Sequence, residues 1–381
     1  MVTHVAAALA ATLGIGLADG PGGAKALRHS APFTYRYQYL AAGWQTWNPN
    51  GSFVTRCVRE STKAHITPVF TLYTIRQSPP GRDNTDEAAA DLGNLRNRNT
   101  MRAWYANARL LFERAGAFRH TRVIVHIEPD LWGYVQQAAR GDRASSVRAV
   151  VGNGLPNNIS GFARRIVRSR NRYAPNVRLA YHLSVWGTKT DIALQDPPDR
   201  QVDALGLRAA RFYRSLHAGF DMTFAEFDDR DSGFNQFING DGGASWWNAA
   251  DFRRDVRFDR VYSRAARQKI VKWQIPLGNT LMRAMDDTWG HFRDNRVQWL
   301  LGSGSASRKH LRAYANAGVI ALLFGGGADG TTCACDAQHD GVTNPAPKHG
   351  NTRPSLSADD DGGYFRQRVR DYMRRGAVRL R

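Results

Sequence analysis

Short apolar runs recur along the chain, and each closes on Gly, Pro, Asp or Asn before a segment with helical spacing. They read TLGIGLADG, FTYRYQYLAAG, ITPVFTLYTI, RVIVHIEPD, VRLAYHLSVWG, DMTFAEFDD, KIVKWQIPLGN and VIALLFGGG. Between them the apolar positions recur every three to four residues, which predicts helices over Ser52–Ala64, Thr100–Ala117, Ile159–Arg170, Ala204–His217, Ala249–Arg267 and Ser305–Ala317, with a last one over Asp361–Arg374. Only the first connection, Gly20 to Ser30, is too short and Gly-rich to predict a good helix. Parallel strands need helical crossovers, and strands that alternate with helices supply them. Eight such units in 381 residues predict one (β/α)8 barrel domain spanning residues 1–381. The rival, an open doubly wound sheet, calls for a phosphate-binding Gly loop that opens a helix after the first strand, and GIGLADG does not supply one.

The strand count also bears on the N-terminus. MVTHVAAALAATLGIGLADG has the apolar run of a secretory signal but no Lys or Arg before it, and removing residues 1–26 would leave seven strands. A strand is therefore the expectation there. The longest irregular segments, residues 77–93, 228–248 and 325–361, follow strands three, six and eight. A barrel gathers such loops at its C-terminal face, where active sites are built.

Alternation along strand four puts Ile124, His126 and Glu128 on one face and Val123, Val125 and Ile127 on the other. The apolar set suits packing against helices, so the first set is expected to face into the barrel, with Glu128 at its rim. Strand six ends in the same way at Glu226. The chain has only five glutamates, Glu60, Glu87, Glu113, Glu128 and Glu226, and two of them close strands. Cleaving a glycosidic bond requires two carboxyl groups across it, one to protonate the leaving oxygen and one as nucleophile or base. Glu128 is the expected acid and Glu226 its partner, with Asp130 and Asp228 as alternative catalytic residues. A lone buried carboxylate more often caps a helix or pairs with an arginine; two at corresponding strand ends weigh against that.

Tryptophans cluster near the same ends: Trp44 and Trp47 after strand two, Trp132 after strand four, Trp186 at the end of strand five, Trp246 and Trp247 after strand six, and Trp273 on strand seven. At a cleft rim such rings stack on the C–H faces of sugars, whereas Trp104 and Trp299, on helices, suit a core. His182, Gln274 and Asn279 add polar groups for sugar hydroxyls, with Gln38 and Ser184 as weaker candidates.

Charge changes the picture little. Lys and Arg number 53 against 33 Asp and Glu, a net +20, yet the arginines are scattered over helices and no nucleic-acid module is present. No run approaches the 18 apolar residues of a membrane span. The partner expected is thus an oligo- or polysaccharide, with neither nucleic acid nor membrane. Cys57, Cys333 and Cys335 make neither a disulfide framework nor a zinc site. Spacing shows no His pair of a metallohydrolase, no serine-hydrolase elbow and, in GGGADGTTCACDAQHDG, no calcium-binding hand, so no metal or cofactor is expected.

At Glu128-Pro129-Asp130 the chain resembles glycoside-hydrolase (β/α)8 barrels, in which strand four often ends in a Glu-Pro pair carrying the acid/base. RVIVHIEPDLWG also resembles the EPD strands of cellulase-type distorted barrels, and YRYQYLAAG, HIEPDLWGY and FGGGADGTTCACDA are similar to uncharacterised bacterial glycosyl-hydrolase-like barrel proteins. The resemblance implies the acid role for Glu128. The chain departs from the best-known retaining group at Ile127, where that group has Asn, and at Trp273-Gln274, where it places its second Glu on strand seven. The cellulase-type barrels rely on aspartates, which draws in Asp130 and Asp228. A glycan-binding or polysaccharide-synthesis accessory barrel is the alternative reading. Such substrates suggest an extracellular or periplasmic setting, against which stands the expected N-terminal strand.

Overall fold

Eight parallel strands pair in chain order and close on themselves: β1 (Gly14–Ala18), β2 (Tyr35–Leu40), β3 (Thr67–Leu72), β4 (Val123–Ile127), β5 (Val177–Leu183), β6 (Met222–Glu226), β7 (Ile270–Pro276) and β8 (Val319–Gly325). The computed structural model describes residues 12–226, 244, 247–276, 295–325 and 364–380. Closure is made by β8 against β1, where Ile15 lies opposite Leu322. The expected barrel is therefore present, and the N-terminal run supplies its first strand.

Around the strands lie α1 (Ala24–Ser30), α2 (Trp44–Trp47), α3 (Ser52–Lys63), α4 (Glu87–Arg96), α5 (Arg98–Gly116), α6 (Leu131–Ala138), α7 (Ile159–Tyr173), α8 (Asp199–Ser215), α9 (Ala249–Ala266), α10 (Asn295–Leu301), α11 (Ser305–Asn316) and α12 (Tyr364–Arg374). Side-chain caps start several of them. Asp86 accepts from the Ala89 N–H, Asn97 from Asn99 and Thr100, and Asn158 from Gly161, while Asn248 and Asp251 form a reciprocal box. One expectation is corrected: the Gly20–Ser30 connection does hold a short helix, α1, which buries Ala24 and Leu27. A second helix, α4, begins inside the segment expected to be irregular, and α6 starts directly after Asp130.

Alternation sorts the strand residues into two layers. Tyr35, Tyr37, Val69, Ile124, Ala180, Met222, Phe224, Val271, Trp273 and Leu323 fill the barrel, whereas Val123, Val125, Leu179 and Tyr181 pack outward with the helices. Burying each large apolar side chain stabilises the fold by ~1.5–3 kcal/mol. The tyrosines of β2 need room inside, and Gly16 provides it: a Cβ there would stand 2.4 Å from Leu323 and 2.7 Å from Tyr35. Outside the barrel, Lys272 of β7 is buried against Asp255 at 2.8 Å and Asp259 at 3.3 Å, both from α9, and Tyr314 of α11 donates to Asp255 at 2.9 Å. Burial pushes the Asp259 carboxyl up to about 7 against the pull of Lys272. Cys57 is free and buried, with its thiol 3.0 Å from Gln38 Oε1. Cys333, Cys335 and the rest of residues 326–341 lie outside the described residues.

Candidate active site at the barrel mouth

The stagger of the barrel builds a polar staircase inside it. Thr71 lies opposite His126, His126 opposite Ala180, and His182 opposite Phe224, so His126 is level with Thr71, His182 sits one pleat above them and Glu226 one pleat above His182. Contacts follow that order. Thr71 Oγ1 is 3.2 Å from His126 Nδ1, His126 Nε2 is 3.0 Å from His182 Nδ1, and His182 Nε2 is 3.5 Å from Glu226 Oε2. Trp186, just past β5, donates its indole N–H to Glu226 Oε1 at 2.7 Å. Burial, reinforced by the neighbouring His182, holds His126 well below the usual imidazole range, so it is neutral and has one donor and one acceptor. Trp273 floors the group, with its ring 4.7 Å from that of His126 and 5.7 Å from that of His182.

The end of β4 departs from the alternation expected of it. Glu128 takes φ 43° and Asp130 φ 67°, both in the left-handed region that costs an ordinary residue on the order of 1 kcal/mol. The first of these turns sends the Glu128 carboxylate behind the barrel wall, 1 % exposed, between the loop after β3 and α5. There it accepts from the Thr74 N–H at 3.0 Å, the Thr74 hydroxyl at 3.0 Å, the Ile75 N–H at 3.0 Å and the Trp104 indole at 2.5 Å. Burial raises its pKa to about 7 although all of these donors pull it down. The rim position expected for Glu128 is thus corrected: its oxygens are committed to the scaffold, and the strand's extrapolated alternation ends at Ile127.

Asp130 arrives at the mouth instead. One oxygen of Asp130, one nitrogen of His182 and one oxygen of Glu226 all lie within 4.8 Å of one another. The turn leads straight into α6, where Gly133 is needed for space, because a Cβ there would stand 2.5 Å from the Trp186 ring that holds Glu226. Tyr134 packs on the same ring at 4.9 Å.

The other expected residues divide. Trp186 is at the site, and Trp273 lies beneath it inside the barrel. Gln274 reaches the mouth because a register irregularity in β7 and a φ of 57° re-aim it, and its amide donates to the Tyr39 hydroxyl at 2.7 Å. Trp47 is 46 % exposed and helps line a cavity of about 800 Å³ with Tyr37, Gln38, Tyr39, Arg56 and Arg366. That cavity shares the Tyr39 wall with the mouth, and Tyr39 packs on Trp273 at 5.7 Å. Three rim assignments are corrected. Trp44 is fully buried in the core under α2, Trp132 packs among Phe162, Tyr181 and Phe220 with its N–H on the Ile127 carbonyl, and Trp247 is buried against Phe252. Asp228, Trp246 and Asn279 lie outside the described residues. The links among Thr71, His126 and His182, and the part of Tyr39, went unread. Their signal is polar residues two apart on neighbouring parallel strands, offset by the stagger.

No family model matches the chain, and no curated protein matches it. Among solved structures it is similar to fungal β-1,4-galactanase (12 % identity, 90 % of each chain covered, TM-score 0.44). It is also similar to D-psicose 3-epimerase from Clostridium cellulolyticum H10 (11 %, 97 % of this chain and 100 % of that one, 0.41). A third is cellobiohydrolase II from Humicola insolens (13 %, 87 % and 85 %, 0.41). Likeness at this level extends to the barrel fold alone. No helix among the described residues is long and apolar enough to cross a membrane.

Proposed function

We propose that the chain hydrolyses a glycosidic bond of an oligo- or polysaccharide, with Asp130 and Glu226 as the carboxyl pair. The observation that carries this reading is the approach of these two side chains, from the ends of β4 and β6, to within 4.8 Å at the mouth of the barrel. Glycosidases that retain configuration hold their carboxyl groups about 5–5.5 Å apart, and those that invert it hold them farther, about 6.5–9.5 Å apart. The short separation supports retention.

Roles follow from surroundings. Glu226 is 4 % exposed and accepts the Trp186 N–H, an arrangement that suits an anionic nucleophile. Asp130 is half-buried and closer to solvent, where a proton can be gained and returned. In the first step Asp130 protonates the leaving oxygen while a Glu226 oxygen bonds to the anomeric carbon. In the second, water displaces that ester and gives its proton to Asp130, restoring both groups. The acid role expected at Glu128 moves two residues along the chain, while the partner role stays with Glu226. Tyr39 and Trp47 provide aromatic surface beside the mouth for sugar rings. Reducing-end release from a panel of polysaccharides tests the reading. Hydrolysis of one member supports it, whereas retention of a glycan on the protein without release would replace it with a binding barrel.

A further inference from the structure

We infer that Asp130, His182 and Glu226 form a binding site for a first-row divalent cation of the zinc or manganese class. The inference concerns the same side chains as the hydrolase reading but goes beyond it, because it stands or falls on binding.

The donor set is a carboxylate, an imidazole and a carboxylate from three different strand ends, with all three ligating atoms within 4.8 Å of one another. Independent support comes from His182. The residue is fully buried, and its Nε2 has no hydrogen-bond partner although it faces Glu226 Oε2 at 3.5 Å. A buried ring nitrogen aimed into a carboxylate pair without bonding to it is a poor hydrogen-bond arrangement and a good ligand arrangement. Two donors at about 2.1 Å from a tetrahedral zinc ion stand about 3.4 Å apart. The separation of 3.5 Å matches, and only Asp130 has to close in.

The outer contacts are those a ligand set requires. Metal-bound imidazoles donate their second N–H to a fixed acceptor. Here His182 Nδ1 meets His126 Nε2 at 3.0 Å, and His126 Nδ1 meets Thr71 Oγ1 at 3.2 Å. With a cation on His182 Nε2, protons must sit on both Nδ1 atoms, so the chain runs from His182 through His126 to the Thr71 oxygen. The Trp186 N–H holds Oε1 of Glu226 at 2.7 Å and orients the carboxylate so that Oε2 faces His182 Nε2. Imidazole with two carboxylates suits zinc or manganese better than calcium or magnesium, which take all-oxygen shells. Three protein ligands leave coordination positions open toward the mouth. The loaded protein has both carboxylates engaged, so hydrolysis by the pair belongs to the cation-free state.

The test is calorimetric titration of the chelator-treated, dialysed full chain with zinc chloride and with manganese chloride, beside magnesium chloride. One saturable site per chain for zinc or manganese is expected. His182→Gln, Asp130→Asn and Glu226→Gln should each weaken binding by at least ~10-fold, and Thr71→Val, which keeps the side chain's shape, also by ~10-fold. Cobalt added to wild type should give a visible absorption spectrum that zinc abolishes. Absence of saturable binding, or binding unchanged in both His182→Gln and Thr71→Val, overturns the site. Reducing-end release by the chelated protein is read separately, so loss of one conclusion leaves the other standing.

Discussion

Glu128 and Glu226 both close a strand on a barrel whose neighbours alternate correctly, yet they end in opposite environments. Glu226 continues the alternation of β6 and keeps its carboxylate at the mouth, where Trp186 and His182 face it. Glu128 follows a strand of the same length, but its backbone turns to φ 43° and its carboxylate is drawn behind the wall to Thr74, Ile75 and Trp104. One dihedral separates a carboxylate at the mouth from a structural clamp. The difference teaches that a strand-end carboxylate stays at the mouth only while the backbone that carries it stays extended. Glu128 turns away, bonds to the scaffold and ties β4 to the loop after β3.

The contrast breaks most sharply in activity. Glu226→Gln and Asp130→Asn should each lower turnover by ~10²–10⁴-fold, the usual contribution of a general acid or base, while Glu128→Gln should keep turnover per folded molecule within several-fold. Initial rates normalised to the folded fraction by circular dichroism check this. In stability the order reverses. Glu128→Ala orphans the Thr74, Ile75 and Trp104 donors and should cost ~3–5 kcal/mol in urea unfolding, whereas Glu226→Gln should cost less than about 1.5 kcal/mol.

Asp91 sharpens the comparison from the side of Glu128. It is buried, neither of its oxygens has a hydrogen-bond partner, and burial with the nearby Glu128 and Asp130 pushes its carboxyl up to about 8 from 3.8. The folded protein therefore holds a proton there that the unfolded chain has released. Stability from this group is present below about pH 4 and is lost as pH rises toward 8. Asp91→Asn should remove that slope, so the gain over wild type in urea midpoint should grow from pH 5 to pH 8; a gap independent of pH would contradict the assignment. The smallest effect expected is that of Gly133→Ala. Its methyl group displaces the Trp186 ring from Glu226, and turnover should fall ~10-fold with little change in KM, an effect of about 1.4 kcal/mol.

Much of the fold was legible because apolar runs with helical spacers leave few arrangements open. The helices at Ser52, Ile159, Ala249 and Ser305 fall where the periodicity puts them. Helix α1 escaped detection because its few turns rest on packing of Ala24 and Leu27, with no capping side chain. At the site, His182 and Glu226 were readable from the period of two. Glu128 was not, since that period holds only while the backbone stays extended and Glu is not a residue that announces a left-handed turn. Trp132 and Trp186 look alike as sequence, both Trp followed by Gly just beyond a strand. Only tertiary packing makes one of them core and the other a partner of Glu226. The cation ligands left no spacing motif, because each comes from a different strand end and the barrel stagger brings them together.

The most direct test of this account is covalent trapping of the nucleophile. The wild-type chain would be treated with the 2-deoxy-2-fluoro glycoside of whichever sugar it releases, followed by peptide mass spectrometry of the inactivated protein. An ester on Glu226, with Glu128 unmodified, is the predicted result. An ester on Glu128, or turnover of the natural substrate with inversion and no adduct, would contradict it.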